Sequence, residues 1–262
     1  MKDQTRMNSR TSLRSAWMIL PVALVLSGCG VLGGKKGGPR TPVQGQRSSI
    51  LSGTEVVAAD ESVASMAISF PEAQTNTEWA QSGGAASKAI GHVALGEGNQ
   101  QVWSGSITGG SSRARLASPP VISGGKLYVI DTEAVINAFD AKTGARLWTS
   151  SVRSKDDQGK VQFGGGVSIE GDKIYATTGI GDVAALNAAD GKVLWKVRPG
   201  GPLRGSPTLS NGNVYVMSQD NQLFALNEAD GAVLWQDSGT LESTGVFGVA
   251  GPSAAQGLVF AG

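Results

Sequence analysis

The sequence is poor in the residues that build disulfides, metal centres and highly charged surfaces. Its 262 residues include one Cys (Cys29) and one His (His92), and only 16% are Asp, Glu, Lys or Arg. A single Cys excludes a disulfide within the chain, and so few Cys and His argue against a zinc-type metal site. The formal net charge is +1, which argues against nucleic-acid binding by phosphate neutralisation.

What the chain does contain is abundant glycine and a repeated pattern. With 38 Gly and little charge, the composition is typical of an all-β protein with many tight turns. Three segments each place an Ala ten residues before a Trp: Ala138–Trp148, Ala185–Trp195 and Ala225–Trp235. Four residues before each Trp stands a glycine, namely Gly144, Gly191 and Gly231. A pattern that recurs every 40 to 47 residues indicates a repeat architecture.

Each repeat predicts four strands. A Tyr lies twenty residues before each Trp, in the runs KLYVI, KIYAT and NVYVM around Tyr128, Tyr175 and Tyr215. Alternating apolar residues of this kind predict strands, and the Thr-Gly and Asp-Gly pairs predict hairpin turns. Four strands in this length form one blade of a β-propeller. We expect the Tyr and Trp side chains to fill the space between neighbouring blades.

The repeats extend on both sides of these three units. Trp103 lies 45 residues before Trp148, so we expect it to end an earlier blade supplied by the residues upstream. Residues 252–262 align with 207–217 and begin a later blade. Residues 61–262 would thus hold three to four blades, and Ser62–Phe70 could form a closing strand. Because so few blades cannot close a ring, we expect this chain to be part of a longer propeller, with completion of the ring by another chain as the alternative.

The N-terminus predicts an export signal and a lipid anchor. Residues 1–28 combine basic residues with a short apolar run, which is typical of a signal peptide. The ending Leu-Ser-Gly-Cys29 resembles the lipobox of bacterial lipoproteins, which implies cleavage before Cys29 and acylation of its thiol. An ordinary signal peptide with an incidental Cys is the alternative. Residues 29–60 would carry the lipid and form a flexible tether rich in Gly, Pro and basic residues.

The repeat resembles the tryptophan-docking repeat of PQQ-type eight-bladed propellers. Two groups use it, the quinoprotein alcohol dehydrogenases and the BamB-type lipoproteins of outer-membrane assembly. The lipobox, the tether and the stretch WAQSGG at residues 79–84 resemble the BamB type, over residues 16–29 and 76–262. This resemblance implies a scaffold without enzymatic activity or cofactor, lipid-anchored at the periplasmic face of the outer membrane. Its partner would be the periplasmic domains of the central barrel subunit of the assembly machinery.

The resemblance also implies a partner-binding loop. Leu203-Arg204-Gly205 matches a family loop that contacts the barrel subunit, with Leu203 as an apolar anchor and Arg204 as a multi-donor charge. The alternative is an ordinary connecting loop with a solvated Arg. The family also uses acidic residues in the loop that enters the next blade, but residues 246–251 contain none.

Two alternative functions stay open, a quinoprotein dehydrogenase and another periplasmic binding propeller. The sequence predicts no catalytic residue and no metal ligand. Most acidic residues fall at predicted turns: Asp140, Asp172, Asp182, Asp190 and Asp230. The pair Asp156-Asp157 is expected to be a solvated turn, and His92 has no visible partner for base catalysis. The run Gly164-Gly165-Gly166 is expected to permit close approach of strands, since no phosphate-loop Lys-Ser/Thr follows it.

Overall fold

The computed structural model describes residues 60–63, 65–98, 100–111, 114–115, 118–157, 163–239 and 250–261. The chain divides into two compact units, Met1–Met66 and Ala67–Gly262. In the first unit, the described residues form a turn in which a carboxylate oxygen of Asp60 accepts hydrogen bonds from the amide and hydroxyl of Ser62. The predicted signal peptide, Cys29 and nearly all of the predicted tether lie outside the described residues.

The second unit is built from antiparallel sheets. The first blade comprises β1 (Val121–Ser123), β2 (Lys126–Ile130), β3 (Val135–Asp140) and β4 (Arg146–Ser151). The second comprises β5 (Gly165–Glu170), β6 (Lys173–Thr178), β7 (Val183–Asn187) and β8 (Val193–Val197). The third comprises β9 (Thr208–Ser210), β10 (Asn213–Met217), β11 (Gln222–Asn227) and β12 (Val233–Ser238). A hairpin of β13 (Ser253–Ala255) and β14 (Leu258–Phe260) follows. The predicted all-β class is confirmed.

Within each blade the strands pair in chain order, and the first strands of successive blades contact each other. The first strand is therefore the inner one and the fourth is the outer one. The core lies between blades, because each buried apolar cluster joins the faces of two neighbouring sheets. Among the described residues, none forms a helix with the length and apolar character needed to cross a bilayer.

The repeated sequence produces the same local geometry three times. Ala138, Ala185 and Ala225 each pair across the strands with the Trp ten residues later, and a register shift follows directly after each Ala. The turn glycines Gly144, Gly191 and Gly231 adopt positive φ angles of 71°, 74° and 76°. Glycine adopts this left-handed conformation at the lowest steric cost, which explains why it occupies this turn in each repeat.

The residues before the first blade differ from the sequence prediction. The described residues around Trp103 form no blade. Residues 79–86, which we call the strap, instead form hydrogen bonds with the first strand of every sheet. Ser62–Phe70 forms no strand in the described part of the chain, since no strand pairs with it there. The prediction of an earlier blade around Trp103 was therefore wrong for the described residues, whereas the closing strand at Ser62–Phe70, whose partner would belong to the last blade of the ring, stays a prediction.

The strap makes its contacts at equivalent points of successive sheets. The backbone of Trp79 exchanges two hydrogen bonds with Ile122, with N···O distances of 2.7 and 2.9 Å. The carbonyl of Ala80 accepts from the Ile169 amide at 2.8 Å, and the carbonyl of Ala86 accepts from the Ala254 amide at 2.9 Å. The side-chain amide of buried Gln81 pairs with both the N–H and the C=O of Leu209, each at 3.0 Å.

Candidate functional site

The interfaces between blades are made by the repeat tryptophans. Trp103, Trp148 and Trp195 each lie against the turn glycine of the blade that follows, Gly144, Gly191 and Gly231 respectively. A Cβ at those glycines would come within 2.6, 2.6 and 2.7 Å of the indole rings. Each indole Nε1 donates to a carbonyl three residues before its glycine, on Ala141, Ala188 and Glu228, at 2.9, 3.2 and 3.1 Å. Trp103 therefore docks as the others do, although it belongs to no sheet among the described residues.

The repeat tyrosines complete these interfaces. The hydroxyls of Tyr128 and Tyr175 donate at 3.3 Å to the Ala188 and Glu228 carbonyls that the neighbouring tryptophans also use. Burial is the main cause that raises the pKa of both hydroxyls, so they stay protonated donors. Trp235 differs, because its side chain is 41% exposed and no described residue accepts a hydrogen bond from its indole.

The predicted partner-binding residues lie in the interior. Leu203 is 0% exposed within the apolar cluster between the second and third blades, and Arg204 is 3% exposed. The Arg204 guanidinium donates to Asn221 Oδ1 and lies 3.8 Å from Met217 Sδ. The segment is drawn inward because the Arg204 amide bonds to the Met217 carbonyl and its carbonyl accepts from Gly165. The alternative of an ordinary loop with a solvated Arg is therefore wrong, and the predicted partner contact by Leu203 and Arg204, which are both buried, stays a prediction.

The glycine run at the start of β5 permits this close approach. Gly164 has a φ of 110°, and a Cβ there would lie 2.4 Å from the Leu203 carbonyl oxygen. No side chain fits at that point without moving the backbone of the Leu203-Arg204 segment.

A charged cleft lies between the first and second blades. The 3-10 turn Lys155–Asp157, just after β4, supplies Asp156 and Asp157, and the second blade supplies Asp182, Lys196 and Arg198. Together with Ser154 and Val197, these side chains line a cavity of about 280 Å³. Sequence reasoning missed this site, because it assigned Asp157 to a solvated turn and Asp182 to a turn position with local hydrogen bonds.

The buried acids of the cleft share one arginine. Asp157 and Asp182 are 1% and 3% exposed. The Arg198 guanidinium bonds to Asp157 Oδ2 and, through Nε, to Asp182 Oδ1 at 2.9 Å. The hydrogen bond to Asp157 is the main cause that raises the pKa of Arg198. The expectation of a solvated turn was therefore wrong for Asp157, because its carboxylate pairs with Arg198, whereas Asp156 is exposed.

The remaining sequence candidates lie apart from this cleft. The exposed His92 donates through Nδ1 to the Pro71 carbonyl at 2.8 Å. Over the part of the chain that the structure describes, no three His, Cys, Asp or Glu side chains are grouped so as to hold a metal ion.

Comparison with known proteins identifies the family. The family model described as "Outer membrane protein assembly factor BamB" matches residues 82–162 and 132–262, which is more than half of the chain. The chain belongs to the BamB family. Within the BamB family, the protein of Salmonella typhimurium is 28% identical over 114 residues, covering 42% of this chain and 29% of that protein.

Other relatives of this BamB-family chain carry enzyme names. Quinoprotein ethanol dehydrogenase of Pseudomonas aeruginosa is 36% identical over 114 residues, covering 41% of this chain and 18% of that protein. The crystal structure of quinohemoprotein alcohol dehydrogenase from Comamonas testosteroni aligns with a TM-score of 0.50 and 23% identity, over 63% of this chain and 28% of that one. That likeness shows the propeller fold alone. The matched part of the chain spans less than a third of the length of these curated relatives.

Proposed function

We propose that this chain is a scaffold of outer-membrane β-barrel assembly, without enzymatic activity of its own. The observation that carries the proposal is the family match over residues 82–262. The docking geometry supports it, since three interfaces built on the same contact of a Trp with a turn glycine make a stiff support for the loops that connect the blades. Binding residues are commonly placed on loops that a rigid framework holds in position.

The proposed location is the periplasmic face of the outer membrane, with acylated Cys29 as the anchor. Several acyl chains would hold the chain far more firmly than one, at about 0.8 kcal/mol per buried CH₂. Anchoring would also raise the effective concentration of the scaffold near a partner in the same membrane.

The proposed partner is the periplasmic part of the barrel subunit of the assembly machinery, bound through loops between blades. Leu203 and Arg204 remain candidates for this contact, but their burial means that a partner would reach them only after a local rearrangement. The exposed parts of the connecting loops therefore come first in any search for the interface.

The test is affinity capture of the tagged full-length lipoprotein from detergent-solubilised envelopes, followed by mass spectrometry. We expect an outer-membrane barrel with periplasmic repeat domains to be retained, and the bait to carry the mass of the acyl groups. A Cys29→Ser variant serves as the control, since it should lose the acyl mass and still retain the barrel in detergent. Absence of any barrel from both captures would contradict the scaffold function.

A quinoprotein dehydrogenase is the second candidate, favoured by the 36% identity to quinoprotein ethanol dehydrogenase. The acids brought together among the described residues do not form a calcium site, so we derive no reaction step through a quinone. The test is titration of the purified chain with pyrroloquinoline quinone and calcium, followed by dye-linked oxidation of ethanol. Saturable quinone binding together with ethanol oxidation would favour the enzyme over the scaffold.

A further inference from the structure

Six positions of the repeat are charged in the second blade only, and three of them lie together at one cleft. Asp182, Lys196 and Arg198 lie 7, 21 and 23 residues after Tyr175. The same positions hold Val135, Thr149 and Ser151 in the first blade, and Gln222, Gln236 and Ser238 in the third. Because all three blades keep the same strands, bulge and docking turn, the fold does not require these charges. Departures of this kind from a local rule are expected at functional positions.

All three charged side chains line the cleft between the first and second blades. The loop after β4 brings Asp156 and Asp157 to them, so the cleft holds three carboxylates against two cations. Both cations have partners within the cleft. Arg198 binds Asp157 and Asp182, and the Lys196 ammonium donates to the Ser154 hydroxyl at 2.7 Å and the Val152 carbonyl at 3.3 Å.

One carboxylate oxygen of the cleft is left without a donor. Asp182 Oδ1 binds Arg198, but Oδ2 is buried and accepts no hydrogen bond. A buried polar atom without a partner is costly, by about 1–3 kcal/mol and more for a charged group. The lining of the cleft therefore has one carboxylate more than cations, with Arg153 beside it bonded to the Asp157 carbonyl at 3.3 Å, and it holds an acceptor that requires a donor.

We propose that this cleft binds one basic side chain, a Lys or Arg, of a protein partner. The ammonium or guanidinium group would lie beside the exposed carboxylate of Asp156 and, after a local rearrangement that uncovers the buried atom, donate to Asp182 Oδ2. Charge complementarity selects this occupant, and the cavity of about 280 Å³ is of a size for one side chain. Only the identity of the partner rests on the proposed scaffold function.

The interface between the Trp103 segment and the first blade offers an internal comparison. A cavity of about 400 Å³ lies there against Ser106, Ile107 and Thr108, with Val135 at the position of Asp182. Its lining includes the cation Arg146 and a single acid, Asp131. Asp131 Oδ1 accepts hydrogen bonds from two backbone amides, and both belong to its own turn. We expect no binding of basic groups at this cavity.

The first test is an NMR titration of the full-length protein with Nα-acetyl-arginine amide at low salt. We expect saturable shifts around Asp182 and Arg198, and none around Val135. Asp182→Gln should weaken the binding at least tenfold, and because Gln222 occupies this position in the third blade, the variant should fold. Asp237→Asn removes an exposed charge elsewhere and should leave the binding unchanged.

Three outcomes would overturn the proposal. They are the absence of saturable shifts, equal binding by Asp182→Gln in a protein with an unchanged thermal melt, and saturable calcium binding that excludes the arginine probe.

The second test repeats the envelope capture with Asp182→Gln, for which we expect at least a tenfold loss of the retained barrel. Undiminished capture would show that the basic side chain in the cleft does not come from the barrel subunit, and it would not affect the proposed scaffold function. If the wild type retains no barrel, the scaffold function fails, and the probe titration still decides on the cleft.

Discussion

The two interfaces that flank the second blade share one docking geometry and differ in their chemistry. At both, an indole lies on a left-handed glycine, and one carbonyl accepts from a Tyr and a Trp. The first carries the cleft of Asp157, Asp182 and Arg198, whereas the second holds the buried Leu203-Arg204 segment. The contact between Trp and the turn glycine is thus the same at both interfaces, whereas the neighbouring loops differ in their side chains and contacts.

Removing the arginine of the first interface should have the largest effect. Arg198→Ser places in the second blade the residue that the third has at Ser238, but it leaves Asp157 and Asp182 buried without their cation. The Arg198 side chain is 40% exposed, but the two carboxylates that it leaves behind are buried, and buried charges without a partner cost about 3–5 kcal/mol. Urea unfolding of the full-length protein would measure it. The double variant Asp182→Gln/Arg198→Ser should recover part of the loss, and a single variant as stable as wild type would contradict the role of Arg198.

A methyl group at the docking glycine should disturb both interfaces alike. Gly191→Ala and Gly231→Ala each combine a positive φ with a Cβ placed against an indole, and we expect each to cost about 3 kcal/mol. Gly212→Ala is the matched control, since its φ is +73° and nothing lies within 4 Å of the added Cβ. Its cost should be about 1 kcal/mol. Equal losses at all three positions in urea unfolding would show that docking contributes nothing.

The strap should contribute to the third blade through a single side chain. Gln81→Leu leaves the buried N–H and C=O of Leu209 without their partners, and we expect a loss of about 2 kcal/mol. Hydrogen exchange of the Leu209 amide should accelerate, while that of Ile169, which bonds to the Ala80 backbone, should change less. Gln236→Leu on the exposed β12 is the control. Unchanged protection of Leu209 would argue against the strap as a tie.

The smallest expected effect is a pH dependence of stability that comes from Lys88, two residues after the strap. Burial lowers the pKa of Lys88 from 10.5 to about 8, and its ammonium has no hydrogen-bond partner. Between these values the unfolded chain binds the proton and the folded chain does not, so the free energy of unfolding should rise with pH. The rise should be below about 1 kcal/mol because the side chain is only partly buried.

Lys88→Met should abolish that rise, and Lys142→Met on an exposed turn should keep it. Urea midpoints measured from pH 7 to pH 10.5 would decide. A slope that persists in Lys88→Met would assign the pH dependence to another group.

The blades could be predicted from the sequence because their information is local. The strands around Tyr128, Tyr175 and Tyr215 and the turns at the docking glycines follow from alternation and from a left-handed position that only glycine adopts easily. The strap could not be predicted in this way, because its hydrogen bonds join residues far apart in the chain and its sequence has no strand period.

The candidate cleft was missed for a different reason. Asp157 and Asp182 look like turn residues when each is read in its own loop, and only the fold brings them to Arg198. A partial signal was nevertheless present, since Asp182, Lys196 and Arg198 are among the positions that are charged in the second blade only. Leu203 and Arg204 show the converse, because a loop that looks exposed in sequence is drawn inside by its backbone hydrogen bonds.

The strap also sets an order of events for the folding chain. It precedes every sheet in the sequence, yet its partners range from Ile122 to Ala254, which lies 168 residues after Ala86. Each blade can form from neighbouring residues as soon as they are available, but the strap must wait for the fourth sheet. Contacts of such long range are slow to form. The strap is thus made before every sheet of this unit and is completed after all of them.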